Sequence, residues 1–351
     1  MVNYPMPTGN PTYFEGDIRK ENPKAFGFFY VKVTAPDNLK VPILLTKNNI
    51  NITMAPTGTW KGVYFSEELY NAEKYGYKFE VLKGYLFTKK YDIFKDFILK
   101  LYEIKKNSHK NEAKYTISKF IMNAFGGRLG MSPFAEKHKI ISSDSHNTYI
   151  TKDISNVIDL NNGKELISYL ETELESDFLR NFNISIPIAM AITASARIHM
   201  SKFKNLPGYK LYYTDTDSAF YDKPLPDYMV GDDLGQMILV EVLDEAVFIS
   251  PKIYGGVYAK TEKGVNLKTF TKVKGIKTQI SYDELKTLLV KDKDLKIEQE
   301  KWYRDLSQGT IKIQKEIITI MKTENKREFI YSEDPKILQP ISTRPFKIEE
   351  V

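Results

Sequence analysis

The hydrophobic period changes along this chain, and that change constrains the fold more than any single motif. Phe26 to Val33 (FGFFYVKV) is aromatic and β-branched and reads as a strand, and Tyr77 to Phe87 alternates as a second. From residue 91 the spacing becomes helical: Phe94, Phe97, Ile98 and Leu101 mark an amphipathic helix over 91–105. The polar loop KKNSHKNE leads into a second helix through Ile117, Phe120, Ile121 and Ala124, with Gly126-Gly127 as its expected end. The pair reads as a helical hairpin, and KLYYTDTDSAFYD further on reads as a β-hairpin. Strands and helices come in blocks with no regular βαβ alternation, so the expected class is α+β.

Finer expectations follow from local chemistry. Residues 1–24, with Pro5, Pro7, Gly9, Pro11 and Pro23, read as turns. Ser66 is expected to cap a short helix that ends at Gly76. Residues 136–163 read as irregular, and Leu166, Leu170, Leu174 and Phe178 mark a helix. Another helix is expected after Pro187, a further one near 233–245, and strands over 254–260 and 265–274. Ser281 and Glu284 have the spacing of a capping box.

Composition excludes several functions. The absence of cysteine rules out disulfides, thiolate metal sites and a cysteine nucleophile. No apolar run reaches the roughly 18–20 residues of a membrane span, so no membrane partner is expected. The opening MVNYPMPTGNP has neither the basic segment and apolar core of a signal peptide nor the Arg and Ser of a mitochondrial presequence. The 51 Lys and Arg exceed the 45 Asp and Glu, for a formal charge of +6, which permits a nucleic-acid partner without requiring one.

Three clusters could carry chemistry. The sharpest is Tyr213-Thr214-Asp215-Thr216-Asp217-Ser218. Two carboxylates two apart in a strand or tight hairpin share a side, and like charges between apolar strands are costly unless a cation neutralises them. Mg²⁺ suits such hard oxygen ligands and leaves positions open for phosphates. A polar hairpin tip is the plainer reading of the same residues. The second cluster is Lys119 and Asn123, four apart on one helix face, followed by Gly126, Gly127 and Arg128. Lys105, Lys106, Lys110 and Lys114 enrich the same hairpin in positive charge, and a solvated lysine face is the plainer reading of these residues. The third is Lys252-Ile253-Tyr254-Gly255-Gly256, with Lys272 and Lys274 downstream. Alternation puts Lys252 and Tyr254 on one strand face, a pairing that suits a nucleic-acid backbone and sugar, or an edge strand guarded by lysines.

The order of these clusters resembles that of family B DNA polymerases. KFIMNAFGGRLG resembles motif B of the protein-primed branch, YTDTDS matches motif C without a gap, and SPKIYGG with KVKG resembles the Lys-x-Tyr motif and the basic segment after it. ITASAR, ending at Arg197, resembles the helix before motif C, and NYPMPTGNPTYFEGDI the stretch after motif A. The likeness is strongest to polymerases of fungal mitochondrial linear plasmids. Motif B departs from the family pattern, with Ala124 where the family has Ser and Gly126 where it has Tyr.

The resemblance implies a polymerase right hand without its front, since motif A and the exonuclease domain would precede Met1. It implies partial palm and an insertion over 1–88, fingers over 89–135, and an insertion between motifs B and C over 136–186. Palm follows over 187–275 and thumb over 276–351. It also implies DNA-directed DNA synthesis with two Mg²⁺ ions, on primer–template DNA and dNTPs, with a terminal protein as a further partner and a mitochondrial location. Asp217 would be the principal motif C metal ligand and Asp215 its support. Lys119, Asn123, Lys105 and Gly126 would form the nucleotide site, Gly126 leaving a gap where the family has an aromatic ring. Lys252, Tyr254, Lys272, Lys274 and Arg197 would hold the primer and DNA. The competing readings are a DNA-binding remnant without catalysis and a metal-dependent glycosyltransferase, whose Asp-x-Asp pair would follow alternating β and α units.

Overall fold

The computed structural model describes residues 2–132, 136–149, 153–170, 184–258 and 268–349. It divides into two compact units, one of Met1–Ile93, Ala191–Ile297 and Ile318–Val351, the other of Phe94–Met190 and Glu298–Ile317.

The first unit begins with a sheet. Its strands are β1 (Met6–Glu15) and β2 (Gly27–Ala35), then, past the short β3 (Thr46–Lys47) and β4 (Thr53–Met54), β5 (Thr57–Phe65) and β6 (Lys78–Lys90). Residues 1–24 are therefore not simply turns. Met6 to Glu15 pairs along β6, and Pro7 and Pro11 sit in this edge strand, where a missing N–H costs little. The sheet order is β1-β6-β2-β5, with a C-terminal strand added beyond β5. Phe29, Val31 and Val33 alternate inward from β2 and pack with Trp60, Tyr64, Leu69, Tyr77 and Val81. The helix α1 (Ser66–Glu73) packs on this core through Leu69 and Ala72. Ser66 is not its cap: Phe65 holds that position, and the buried Ser66 hydroxyl instead accepts the Gly27 N–H at 3.1 Å.

The second unit opens with α2 (Lys95–Lys106) and α3 (Ala113–Leu129), which pack as a hairpin. Helix α3 does not end at the glycine pair but runs through Gly126 and Gly127 to a cap at Gly130. Its inward stripe is also rotated from the expected one. Ser118 is buried, with Ile121, Met122 and Phe125 half-buried, while Ile117 and Phe120 are 56% and 70% exposed. A two-helix hairpin covers only one seam, and Phe125 sets that seam by packing on Phe94 and Phe97 at 4.9 and 5.6 Å between rings.

Residues 136–163 are not irregular. β7 (Glu136–Ser142), β8 (Asp153–Asp159) and β9 (Lys164–Leu170) form a sheet ordered β7-β9-β8 around Ile141, Ile167 and Tyr169. The helix expected from Leu166 is a strand as far as Leu170, because pairing on both sides overrides the apparent helical spacing. Leu174 and Phe178 lie outside the described residues.

Helix α4 (Ile186–Lys204) precedes β10 (Leu211–Asp215) and β11 (Ser218–Tyr221). The helix expected near 233–245 is absent. Gly231 and a left-handed Gly235 (φ 95°) break this stretch into turns, and β12 (Leu243–Ser250) follows. β13 (Ile253–Tyr258) and β14 (Thr269–Val273) complete a three-stranded sheet, the remainder of the two expected strands lying outside the described residues. Helix α5 (Tyr282–Thr287) starts with the full Ser281–Glu284 capping box and covers this sheet through Tyr282 and Leu285.

A ribbon of β15 (Asp294–Asp305) and β16 (Thr310–Met321) follows, then β17 (Glu328–Tyr331) paired with β18 (Pro340–Arg344). The last strand, β19 (Lys347–Ile348), lies parallel to β5. The expected 276–351 segment is thus shared between the two units, residues 298–317 belonging to the second. No described helix is long and apolar enough to cross a membrane.

Candidate functional site

In the first unit, β10 and β11 close on a two-residue turn, Thr216-Asp217, with Asp215 opposite Ser218. Ser218 donates its hydroxyl to the Asp215 carbonyl at 3.1 Å and tightens the turn. Thr216 sits at φ 57°, a region a β-branched residue rarely adopts, so the tip stores strain that its surroundings must repay. Asp217 is exposed at this tip, and Asp215 ends the strand half-buried.

A second turn meets this one. Ser250 pairs with Ile253, leaving Pro251 and Lys252 as the turn between β12 and β13, with Lys252 at φ 67°. Lys252 therefore precedes the strand rather than alternating along it with Tyr254: proline favours the first turn position, which leaves lysine to take the left-handed one. Its ammonium donates to Asp215 Oδ2 at 2.5 Å, and its backbone N–H donates to the Tyr213 hydroxyl at 2.8 Å. The hydrogen bond to Asp215 raises the Lys252 pKa above its ordinary value. Asp215 Oδ1 accepts from Thr216 at 3.3 Å.

Aromatic rings set the positions of both turns. Tyr213 stacks on Phe248 at 5.1 Å with an 8° interplanar angle and lies 5.2 Å from Tyr254, and Phe220 packs against both Phe248 and Tyr254. Burial raises the Tyr254 pKa, with the Tyr213 and Asp215 charges adding to it. Lys272 lies opposite Tyr254 on β14, and the Lys274 N–H donates to the Lys252 carbonyl at 3.2 Å. Both lysine side chains are exposed. The structure thus brings together Asp215, Asp217, Lys252, Tyr254, Lys272 and Lys274.

Arg197 is in the same unit but is otherwise engaged. Its Nε and Nη2 donate to the two carboxylate oxygens of Glu68 at 2.5 and 2.9 Å, and Glu68 is 3% exposed. Sequence reasoning missed Glu68, which looks like a solvated residue of the SEELY helix, and gave no role to Tyr213, although alternation places it two before Asp215 on the same strand side.

The remaining candidates lie in the second unit. Lys119 and Asn123 are exposed on α3, and Gly126 is inside that helix. The Lys105 ammonium lies over Tyr102 and Tyr115 at 5.4 and 5.9 Å from the ring centres, a cation–π contact spanning α2 and α3.

Asp215 and Asp217 offer hard oxygen donors that fit a divalent cation, and the ion pair to Lys252 already satisfies one of them with positive charge. Among the described residues no group of three or more His, Asp or Glu side chains gathers as a metal cluster. An Asp217→Asn variant is expected to weaken Mn²⁺ binding about tenfold and to leave the fold intact, because the side chain is exposed. A Mn²⁺ titration that gives the same affinity for both proteins would make Asp217 a turn residue only.

The elements ahead of Asp215 are not the alternating β and α units that the glycosyltransferase reading requires. The fold is similar to that of Phi29 DNA polymerase complexed with primer-template DNA and incoming nucleotide substrates, with a TM-score of 0.67 at 17% identity, covering 91% of this chain and 55% of that one. A probable DNA polymerase of Neurospora intermedia is 39% identical over 326 residues, covering 89% of this chain and 33% of its own length. One of Ascobolus immersus is 36% identical, covering 99% and 29%. The chain therefore spans about a third of the length of these relatives. The family model for DNA polymerase type B, organellar and viral, matches residues 1–207, more than half of the sequence, and the chain belongs to that family.

Proposed function

We propose that this chain supplies motif B, motif C and the primer-holding strand of a DNA-directed DNA polymerase, which it serves as part of a longer protein. The observation that carries the reading is the junction of two turns: the Asp215–Asp217 hairpin and the Pro251–Lys252 turn meet through a 2.5 Å ion pair, although Asp215 and Lys252 are 37 positions apart in sequence. Membership of the family implies use of a divalent metal, and we assign Mg²⁺. Asp217 would be its principal ligand here and Asp215 the second. Bound there, it would neutralise charge on the reacting phosphate and on the leaving pyrophosphate.

The chain's own residues do the rest. Tyr254 and Lys252 hold the primer end beside the carboxylates, with Lys272 and Lys274 on the phosphates behind it. Lys119 meets the triphosphate and offsets the charge that develops on pyrophosphate. Asn123, one helical turn on, steadies the same face. Lys105 is the further phosphate contact, and its stacking on Tyr102 and Tyr115 limits where its charge can go. In this reading residues 1–88 and 187–275 contribute palm and its insertion, 89–135 fingers, 136–186 the insertion between motifs B and C, and 276–351 thumb. We further propose that the whole polymerase replicates a linear mitochondrial plasmid and starts from a terminal protein.

A second reading, a DNA-binding remnant without catalysis, draws on Ala124 and Gly126 in place of the motif's Ser and Tyr. One pair of assays separates the two. The purified chain is expected to bind primer–template, with affinity falling about 10³-fold between about 50 and about 200 mM salt if about six phosphates are held. Alone it is expected to leave the primer unextended, since the hairpin carries part of a ligand set only. Fused behind a motif A segment of a protein-primed family B polymerase, it is expected to extend the primer, and Asp217→Asn should abolish that extension. Binding without extension in the fusion would favour the remnant, and no salt-sensitive binding at all would overturn both.

A further inference from the structure

We propose that Tyr213 is a positioning residue whose hydroxyl fastens the Lys252 turn. The Lys252 ammonium then acts as the resident counter-cation of Asp215, and a divalent ion must displace it to bind there. This inference rests on reading Asp215 and Asp217 as metal-binding carboxylates.

The geometry around the turn is its basis. Lys252 adopts φ 67°, which lysine adopts rarely and glycine readily. Two contacts from the β10 strand offset that cost, the Tyr213 hydroxyl on the Lys252 N–H and Asp215 Oδ2 on its Nζ. The Tyr213 ring cannot drift, because Phe248 from the strand before the turn stacks on it and Tyr254 from the strand after the turn flanks it. The hydroxyl therefore reaches the turn at a fixed place, and that fixes where the four-carbon stem of Lys252 begins. The Lys252 side chain is exposed, so as a surface ion pair it would contribute little to stability. Its consequence is for cation binding. An oxygen in contact with an ammonium at 2.5 Å is already neutralised, and a dication approaching the same oxygen is repelled by the resident charge. Swinging Lys252 away frees Asp215 for the metal and Lys252 for another anion in one movement.

Mn²⁺ titrations followed by electron paramagnetic resonance test this on the intact chain. Lys252→Met is expected to bind Mn²⁺ about tenfold more tightly than the parent, equal to about 1.4 kcal/mol. Tyr213→Phe, which keeps the ring stack and deletes the acceptor, should tighten binding by about threefold. Lys252→Arg, which keeps the charge, should restore the parental affinity. Nitrogen-15 NMR of lysine ammonium groups supplies a readout free of metal: an ordered Lys252 signal is expected in the parent, and its loss in Asp215→Asn and in Tyr213→Phe. Equal or weaker Mn²⁺ affinity in Lys252→Met overturns displacement, and an unchanged ammonium signal in Tyr213→Phe overturns positioning. Failure of the parent and every variant to bind Mn²⁺ would instead overturn the metal reading of the hairpin, and displacement with it.

Discussion

Replacing Arg197 by alanine is expected to lower the stability of the chain by about 3–5 kcal/mol. Glu68 is 3% exposed, and its two oxygens are held by the Arg197 fork at 2.5 and 2.9 Å. Removal of the arginine leaves a carboxylate inside the protein with no counter-charge, which costs far more than an exposed ion pair contributes. Burial works against the arginine charge, and Glu68 more than offsets it, so the guanidinium pKa stands above its ordinary value. Arg197→Lys keeps a charge but loses the two-pronged geometry and should fall between the two. Urea unfolding midpoints read the effect. The same variants decide whether Arg197 also meets DNA. A purely structural arginine leaves the salt dependence of primer–template binding unchanged, whereas a phosphate contact reduces its slope by about one. A loss of stability below about 1 kcal/mol in Arg197→Ala would show that Glu68 finds water or another partner.

Gly58→Val is expected to detach the C-terminal strand at a cost of about 3 kcal/mol. Gly58 lies at φ 91°, and a Cβ there would stand 2.0 Å from the Ile348 carbonyl oxygen. Backbone cannot yield as a flexible side chain does, so β19 must leave. With it go the bond from Thr57 N–H to the Phe346 carbonyl at 2.9 Å and the Lys347–Asp37 ion pair at 3.0 Å. Trypsin supplies the measurement. Cleavage after Lys347 should be at least about tenfold faster in the variant, because local opening governs access to that bond. Equal cleavage rates would mean that the tail is not held by this pairing.

Much of the chemistry was legible locally. Turn and cap rules depend on a few neighbouring residues, so the Ser281–Glu284 box and the hairpin at Asp215 appear where the residue types put them. The change to helical period marked α2 and α3 for the same reason, and the order of Lys119, Asp215 and Lys252 pointed to the family. Local rules misled where pairing partners are distant. Leu166 and Leu170 are spaced like a helix, yet β7 and β8 bind the backbone on both sides and make it a strand. Ile117 and Phe120 look like a core stripe, but α2 covers the adjacent face because Phe125 meets Phe94 and Phe97 there. Glu68 reads as solvent-exposed until Arg197, 129 residues away, is brought to it. Residue type and spacing by themselves determined which side chains could bind cations, phosphates or aromatic rings. Only the tertiary structure decided that Lys252 meets Asp215, that Arg197 is committed to Glu68 and that the tail lies along β5. Each of these is a contact between segments remote in sequence, and its energy exists only once the intervening chain has been ordered.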